Sequence, residues 1–202
     1  MLNPYEVLRL ARNQGLMTTE FIARYTDRAG TRLRQRNDGS CVFLGAAGCG
    51  VHPDRPLVCR IYPLGRHISP ENEETFSELE PHPQTEGRYG TEGTVGDYLE
   101  AQGAEPFLQA ADRYLNLFRE LADSVAERVE RLEAPEREAV RREFVHPDDD
   151  SASPAWLDID RMVDEYCRER GLAKPAQASR LMELHVKALS ASSNHLTEEK
   201  AP

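Results

Sequence analysis

Lysine is nearly missing: only three of the 25 basic residues are lysines, the rest being arginines. That looks like a compositional habit, and no function follows from it. Cysteine is scarce too. Four in 202 residues are too few for a disulfide framework. No run approaches the roughly 20 apolar residues of a membrane helix. The opening Met-Leu-Asn-Pro-Tyr-Glu has neither the basic start nor the apolar core of a secretory leader. The expected setting is therefore a reducing cytoplasm, with thiols free or metal-bound and no membrane partner. Arginines occur without an interleaved aromatic platform, so no nucleic acid is expected either. There is no glycine-rich phosphate loop. The helices lack the His and Glu spacing of a zinc protease or a di-iron bundle, and no nucleophile triad is supported by adjacency.

What is present is unevenly spread. Residues 1–66 hold ten arginines against five acids, a charge of +5, and the remainder carries −15. The basic part can attract an anionic partner or dock on the acidic part. Capping signals and 3.6-residue periodicity make the chain mainly α, a helical protein with a small turn-rich β/cysteine segment. Asn3, Pro4 and Glu6 open a helix over 3–14 that Gly15 ends. Thr18 caps a second helix over 18–29, stopped by Gly30. Asp38-Gly39 marks a hairpin, with Cys41–Leu44 as its return strand. Pro56 opens a helical turn through Cys59 and Tyr62, closed by Pro63. From residue 64 to 93, prolines, glycines and glutamates read as a long loop or arm, with Tyr62, Phe76 and Tyr89 as its packing residues. Thr94 and Asp97 form a capping box. A long amphipathic helix follows over 105–133, then over 135–145 a polar helix or a continuation broken at Pro135, and a linker at Asp148–Pro154. Trp156 to Cys167 make one apolar stripe ended by Gly171. Pro175 opens a last helix, whose tail frays after Ala191. The expected regions are 1–66 with the cysteines, 67–93 as a loop or arm, and 94–191 as helices.

Three of the four cysteines lie in one turn-rich stretch. Seven residues separate Cys41 from Cys49, and nine separate Cys49 from Cys59. Thiolates are soft, strongly donating ligands that suit zinc or an iron-sulfur cluster. A closed site usually takes four protein ligands. His52 is the nearest further donor, then His67. Cys167 belongs to an apolar stripe and reads as core. The plain alternative is three small thiols packed in a turn-rich subdomain. Arg55 and Arg60, arginines near these thiols, simply balance charge or pair with Asp54.

The run Cys41-Val-Phe-Leu, Cys49-Gly-Val-His, Arg55-Pro-x-x-Cys59-Arg-x-Tyr-Pro63 resembles the second half of the YkgJ-like cysteine-cluster family, a zinc- or iron-chelating domain related to one in flagellin lysine methylase. Asn3 to Ala11 and Thr19 to Tyr25 resemble the two helices between that family's cysteine groups. The resemblance spans about residues 2–66. It implies that Cys41, Cys49 and Cys59 are metal ligands, that Arg55 and Arg60 sit around the cofactor, and that Pro56 sets the turn. It also implies a first group, Cys-x2-Cys-x2-Cys-Cys, ahead of the first helix, and the sequence shows none there. Either a longer natural chain supplies that group or this member has lost half its site.

Two functions follow as expectations. One is a cysteine-bound zinc or iron-sulfur site with a metal-handling or redox-linked role, its substrate open. The other is a metal-free helical module that binds a protein partner, its cysteine site degenerate. That second reading rests on the amphipathic helix over 105–133 and on the charge split. Oligomeric state is not fixed by the sequence.

Overall fold

A computed structural model describes residues 1–27, 30–83, 85, 87, 90, 92–137 and 155–198. It is mainly helical with short antiparallel strands beside the cysteines. Two compact units divide the chain: residues 1–54 with 110–202, and residues 55–109.

The first unit begins with α1 (Pro4–Asn13) and α2 (Thr18–Tyr25). The capping box at α1 forms as the sequence predicts. Glu6 N donates to Asn3 Oδ1 at 3.0 Å, and Asn3 N donates to Glu6 Oε2 at 2.9 Å. Gly15, at φ 66°, closes the helix, and Leu16 N returns to Ala11 O. Asn3→Ala should lower stability by about 1 kcal/mol, read from the urea midpoint.

α1 lies at the centre of this unit. Val7, Leu10 and Ala11 share one face at steps of three and four, and pack with Phe21, Ile22, Val51 and Leu157. Leu8 turns to another side, against Ile159, Val163, Cys167 and Leu181. Those partners come from α6 (Ile159–Arg170) and α7 (Ala178–Glu198). Full burial of each such side chain is worth roughly 1.5–3 kcal/mol. Gly171, at φ 63°, ends α6 as expected, and Leu172 N bonds Cys167 O. Two ends differ from expectation. α7 starts at Ala178 rather than at Pro175, and its helix continues past Ala191 to Glu198.

α2 is shorter than the sequence predicts. It stops at Tyr25 because Thr26 turns extended and pairs with Leu33, making β1 (Thr26–Asp27) and β2 (Arg32–Leu33). The chain then folds over Asp38-Gly39, with Arg36 N on Ser40 O and Val42 N on Arg34 O. The expected return strand is split. Only Cys41 bridges back, to Gln35. Leu44–Gly45 (β3) instead pairs forward with Gly48–Cys49 (β4). Gly48, at φ 95°, permits that tighter second turn, a backbone region closed to most residues.

The second unit carries a four-residue helix, α3 (Leu57–Arg60), after Pro56. The loop expected over 64–93 contains an antiparallel ribbon, β5 (Leu64–Ile68) with β6 (Glu74–Glu78), in the register Leu64↔Glu78 to Ile68↔Glu74. Asn72, at φ 65°, lies in its connecting turn. Tyr62 packs as expected: its hydroxyl accepts from His82 N, and its carbonyl accepts from Tyr98 Oη. α4 (Val95–Ala101) carries the predicted box, Asp97 N on Thr94 Oγ1 and Thr94 N on Asp97 Oδ2. α5 (Glu105–Arg131) follows, its residues to 109 counted with this unit and the rest with the first. Tyr89, the Asp148–Pro154 linker and most of the segment expected over 135–145 lie outside the described residues.

Candidate functional site

Cys41 and Cys49 belong to the first unit, and both are half-buried free thiols. Cys41 is held by its bridge to Gln35 and by Leu44 N on its carbonyl. Cys49 is strand-paired with Leu44 and packs against the core cluster that holds Val51 and Phe21. Phe43, between the two cysteines, stacks on Phe21 with ring centroids 6.1 Å apart and meets Tyr25 at 4.9 Å. The segment is thus fastened by ring packing and by two glycine turns.

Asp54 closes this stretch. It accepts from Arg9 Nε at 2.8 Å and from Asn13 Nδ2 at 2.9 Å, while Arg9 Nη1 donates to Tyr5 Oη. The charge partner of Asp54 is therefore Arg9 on α1, not the neighbouring Arg55.

Cys59 belongs to the second unit and is exposed on α3. Its amide is engaged with Pro56 O at 3.0 Å. Arg55 and Arg60, both buried, converge on the C-cap of α4. Arg55 Nη2 donates to Gln102 Oε1 and Arg60 Nη1 donates to Gln102 O, each at 2.6 Å. The Arg60 guanidinium also lies 4.2 Å over the Phe107 ring, a cation–π contact. Arg60 thereby ties the end of α4 to the start of α5, and Arg55 holds the same C-cap. Gly103, at φ 58°, makes the turn between those helices, and a Cβ there would sit 3.8 Å from Arg60 Nη1.

His52 is exposed in the turn His52–Asp54. His67 Nε2 shares a hydrogen bond with Ser77 Oγ at 2.8 Å across the β5–β6 ribbon. Cys167 is buried among Ile159, Val163, Leu8 and Leu181, as its stripe predicts. Among the described residues, no group of three or more His, Cys, Asp and Glu side chains gathers so as to hold a metal ion. The donor set for zinc or an iron-sulfur cluster is therefore not assembled by the described residues alone. Among them, too, no helix is long and apolar enough to cross a membrane.

Two polar clusters escape a sequence reading. Thr18, expected to cap its own helix, lies one position inside α2, and Met17 is the N-cap. The Thr18 hydroxyl instead serves α6: Oγ1 accepts from Asp160 N at 3.0 Å and donates to Asp158 Oδ1. Asp160 Oδ2 returns the favour by accepting from Thr18 N at 3.0 Å. Each helix start thus supplies an acceptor for an otherwise unpaired amide of the other. Asp158 also accepts from Thr19 Oγ1 and from Arg161 N. Lys174 Nζ reaches Asp160 and Asp164, each at 2.9 Å. Burial lowers the Lys174 pKa, but those two bonds outweigh it and hold the ammonium above its ordinary range. The second cluster is Tyr114 Oη on His185 Nδ1 at 2.9 Å, fully inside the first unit. The only hint was spacing, since His185 sits four residues after Leu181 in the apolar stripe.

Residues 1–82 match the family described as a putative zinc- or iron-chelating domain, named for its CxxCxxCC pattern. The resemblance read over 2–66 holds and extends through the β5–β6 ribbon. No curated protein and no solved structure matches the chain.

Proposed function

We propose that this chain works as a metal-free helical protein-interaction module, in which a degenerate half of the chelating domain serves as packing. The observation that carries this reading is that the described residues gather no three metal donors, while the segment around Cys41 and Cys49 is fastened by ring stacking and core contacts. A frame closed by packing needs no metal to fold. The partner-binding element is the outer part of α5. From Arg119 to Arg131 none of its described side chains is buried, and Leu121, Val125 and Val129 recur along one stripe, Val125 being 42% exposed. Such a stripe is the usual ligand of an apolar groove.

Anaerobic purification with elemental analysis and an optical spectrum, beside Cys59→Ser, tests the first half. The expected result is less than stoichiometric zinc and iron, no visible absorbance, and an unfolding curve that a chelator leaves unchanged. A photo-crosslinker at position 125 tests the second half. It should give one discrete adduct with a partner protein that the same group at position 112, on the same helix, does not give.

The family match favours a second reading. In it Cys41, Cys49 and Cys59 bind zinc or an iron-sulfur cluster together with donors from outside the described residues, and Arg55 and Arg60 shape the surroundings of that cofactor. The role is then metal handling or redox-linked. Stoichiometric iron with sulfide, or stoichiometric zinc, lost in Cys59→Ser, would establish it and displace the first.

A further inference from the structure

The second unit is acidic in sequence and more so on its surface. Residues 55–109 hold ten acids against four arginines. Of those arginines, Arg55 and Arg60 are buried and Arg66 is paired with Glu74. Within this unit α4 and the start of α5 enclose a groove of about 410 Å³, lined by Gly96, Leu99, Glu100, Gly103, Ala104, Glu105 and Leu108. Leu99 and Leu108 form apolar walls over the buried Ala104. Two glycines leave the groove open, and its only charged residues among those described are two glutamates. Glu105 Oε1 holds Gln109 Nε2 on its own helix at 2.6 Å.

We infer that this groove docks a basic protein segment, seating an aliphatic side chain between Leu99 and Leu108 with flanking Arg or Lys beside Glu100 and Glu105. Charge complementarity selects this occupant. An acidic ligand or an anionic membrane surface would meet like charge, whereas a basic flank is attracted and held in register. The apolar walls then distinguish it from a diffuse polycation, because only a side chain that fills the groove removes them from water. This groove shares no residue with the outer stripe of α5, so it stands or falls separately from the partner proposed there.

The test uses the full chain and fluorescence anisotropy. The probe is a fluorescein-labelled peptide of repeating Arg-Leu-Leu-Arg, with an Arg-Gly-Gly-Arg peptide as the charge-only control. Gly96→Leu fills the groove. It suits the helix, since a Cβ at Gly96 meets only Thr94 Oγ1, at an ordinary 3.6 Å. Glu100→Gln with Glu105→Gln removes the charge and leaves the shape. Saturable binding of the leucine peptide is expected, about tenfold weaker in each variant and for the control peptide, with far-UV circular dichroism unchanged. No saturable binding, equal binding of the two peptides, or full affinity in Gly96→Leu would each overturn the inference.

Discussion

Asp158→Ala should cost roughly 3–5 kcal/mol, because it strips an acceptor from several buried or half-buried donors at once. Asp158 is 6% exposed. It takes the hydroxyl protons of Thr18 and Thr19 from α2 and the Arg161 amide of its own helix. An alanine leaves the two threonines without that acceptor and removes a negative charge from the start of α6, where the helix dipole favours one. Trp156 is the only tryptophan, and it lies two residues away, edge-on to Phe118 at 5.1 Å. Its fluorescence therefore reports unfolding of this unit directly. The urea midpoint should fall sharply in Asp158→Ala. Asp158→Asn should lose less, since one amide oxygen still accepts. A change within about 0.5 kcal/mol, the range of an ordinary surface substitution, would show that the two helix starts do not depend on each other.

The same joint makes a finer test possible. Thr18 Oγ1 donates to Asp158 Oδ1 side chain to side chain, whereas the Thr18–Asp160 bonds each join a side chain to a backbone amide. Thr18→Ala and Asp158→Ala should therefore be non-additive, with an interaction energy of about 1 kcal/mol or more in a double-mutant cycle. Additive losses would mean that the bond between the Thr18 hydroxyl and the Asp158 carboxylate contributes nothing across the joint.

This joint also shows where sequence reading stops. Asn3 with Glu6, Thr94 with Asp97, and Gly171 were legible because a cap is a local matter: donor and acceptor lie three residues apart. Thr18 carries the same signature, yet its hydroxyl is spent on a helix 140 residues further along, and no local pattern encodes that. The β5–β6 ribbon was missed for a different reason. Its register sets Arg66 against Phe76 and Ile68 against Glu74, so no clean apolar-polar alternation marks these half-buried and exposed strands. The helices at α5 and α6, by contrast, announce themselves through long apolar periodicity. The cysteines are the instructive middle case. Their segment, its turns and the family resemblance were all readable. Whether three thiols gather is a tertiary property, and spacing alone did not reveal that Phe43 and Cys49 would turn onto the core.

His185 gives the second large effect, and it depends on pH. The ring is fully buried, its Nδ1 bonded to Tyr114 Oη and its Nε2 without a hydrogen-bond partner among the described residues. Burial pushes the imidazole down from 6.5 to about 3, and burial likewise pushes the Tyr114 phenol well above 10. The folded protein therefore keeps this histidine neutral, while the unfolded chain binds a proton below about pH 6.5. Unfolding takes up that proton between pH 6.5 and about 3. Stability from this group is thus fully present above pH 6.5 and is lost as the pH falls through that window. From pH 7 to pH 5 the loss should be about 2 kcal/mol, read from urea midpoints by Trp156 fluorescence. His185→Leu should remove this part of the slope. At pH 7 it should also cost about 1–3 kcal/mol, because the Tyr114 hydroxyl is left buried without its partner. Adding Tyr114→Phe removes both polar groups together, so the double variant should recover most of that loss and remain flat between pH 5 and 7. If wild type and His185→Leu lose stability in parallel over that range, the ring is reached by water and the proton is not excluded by the fold.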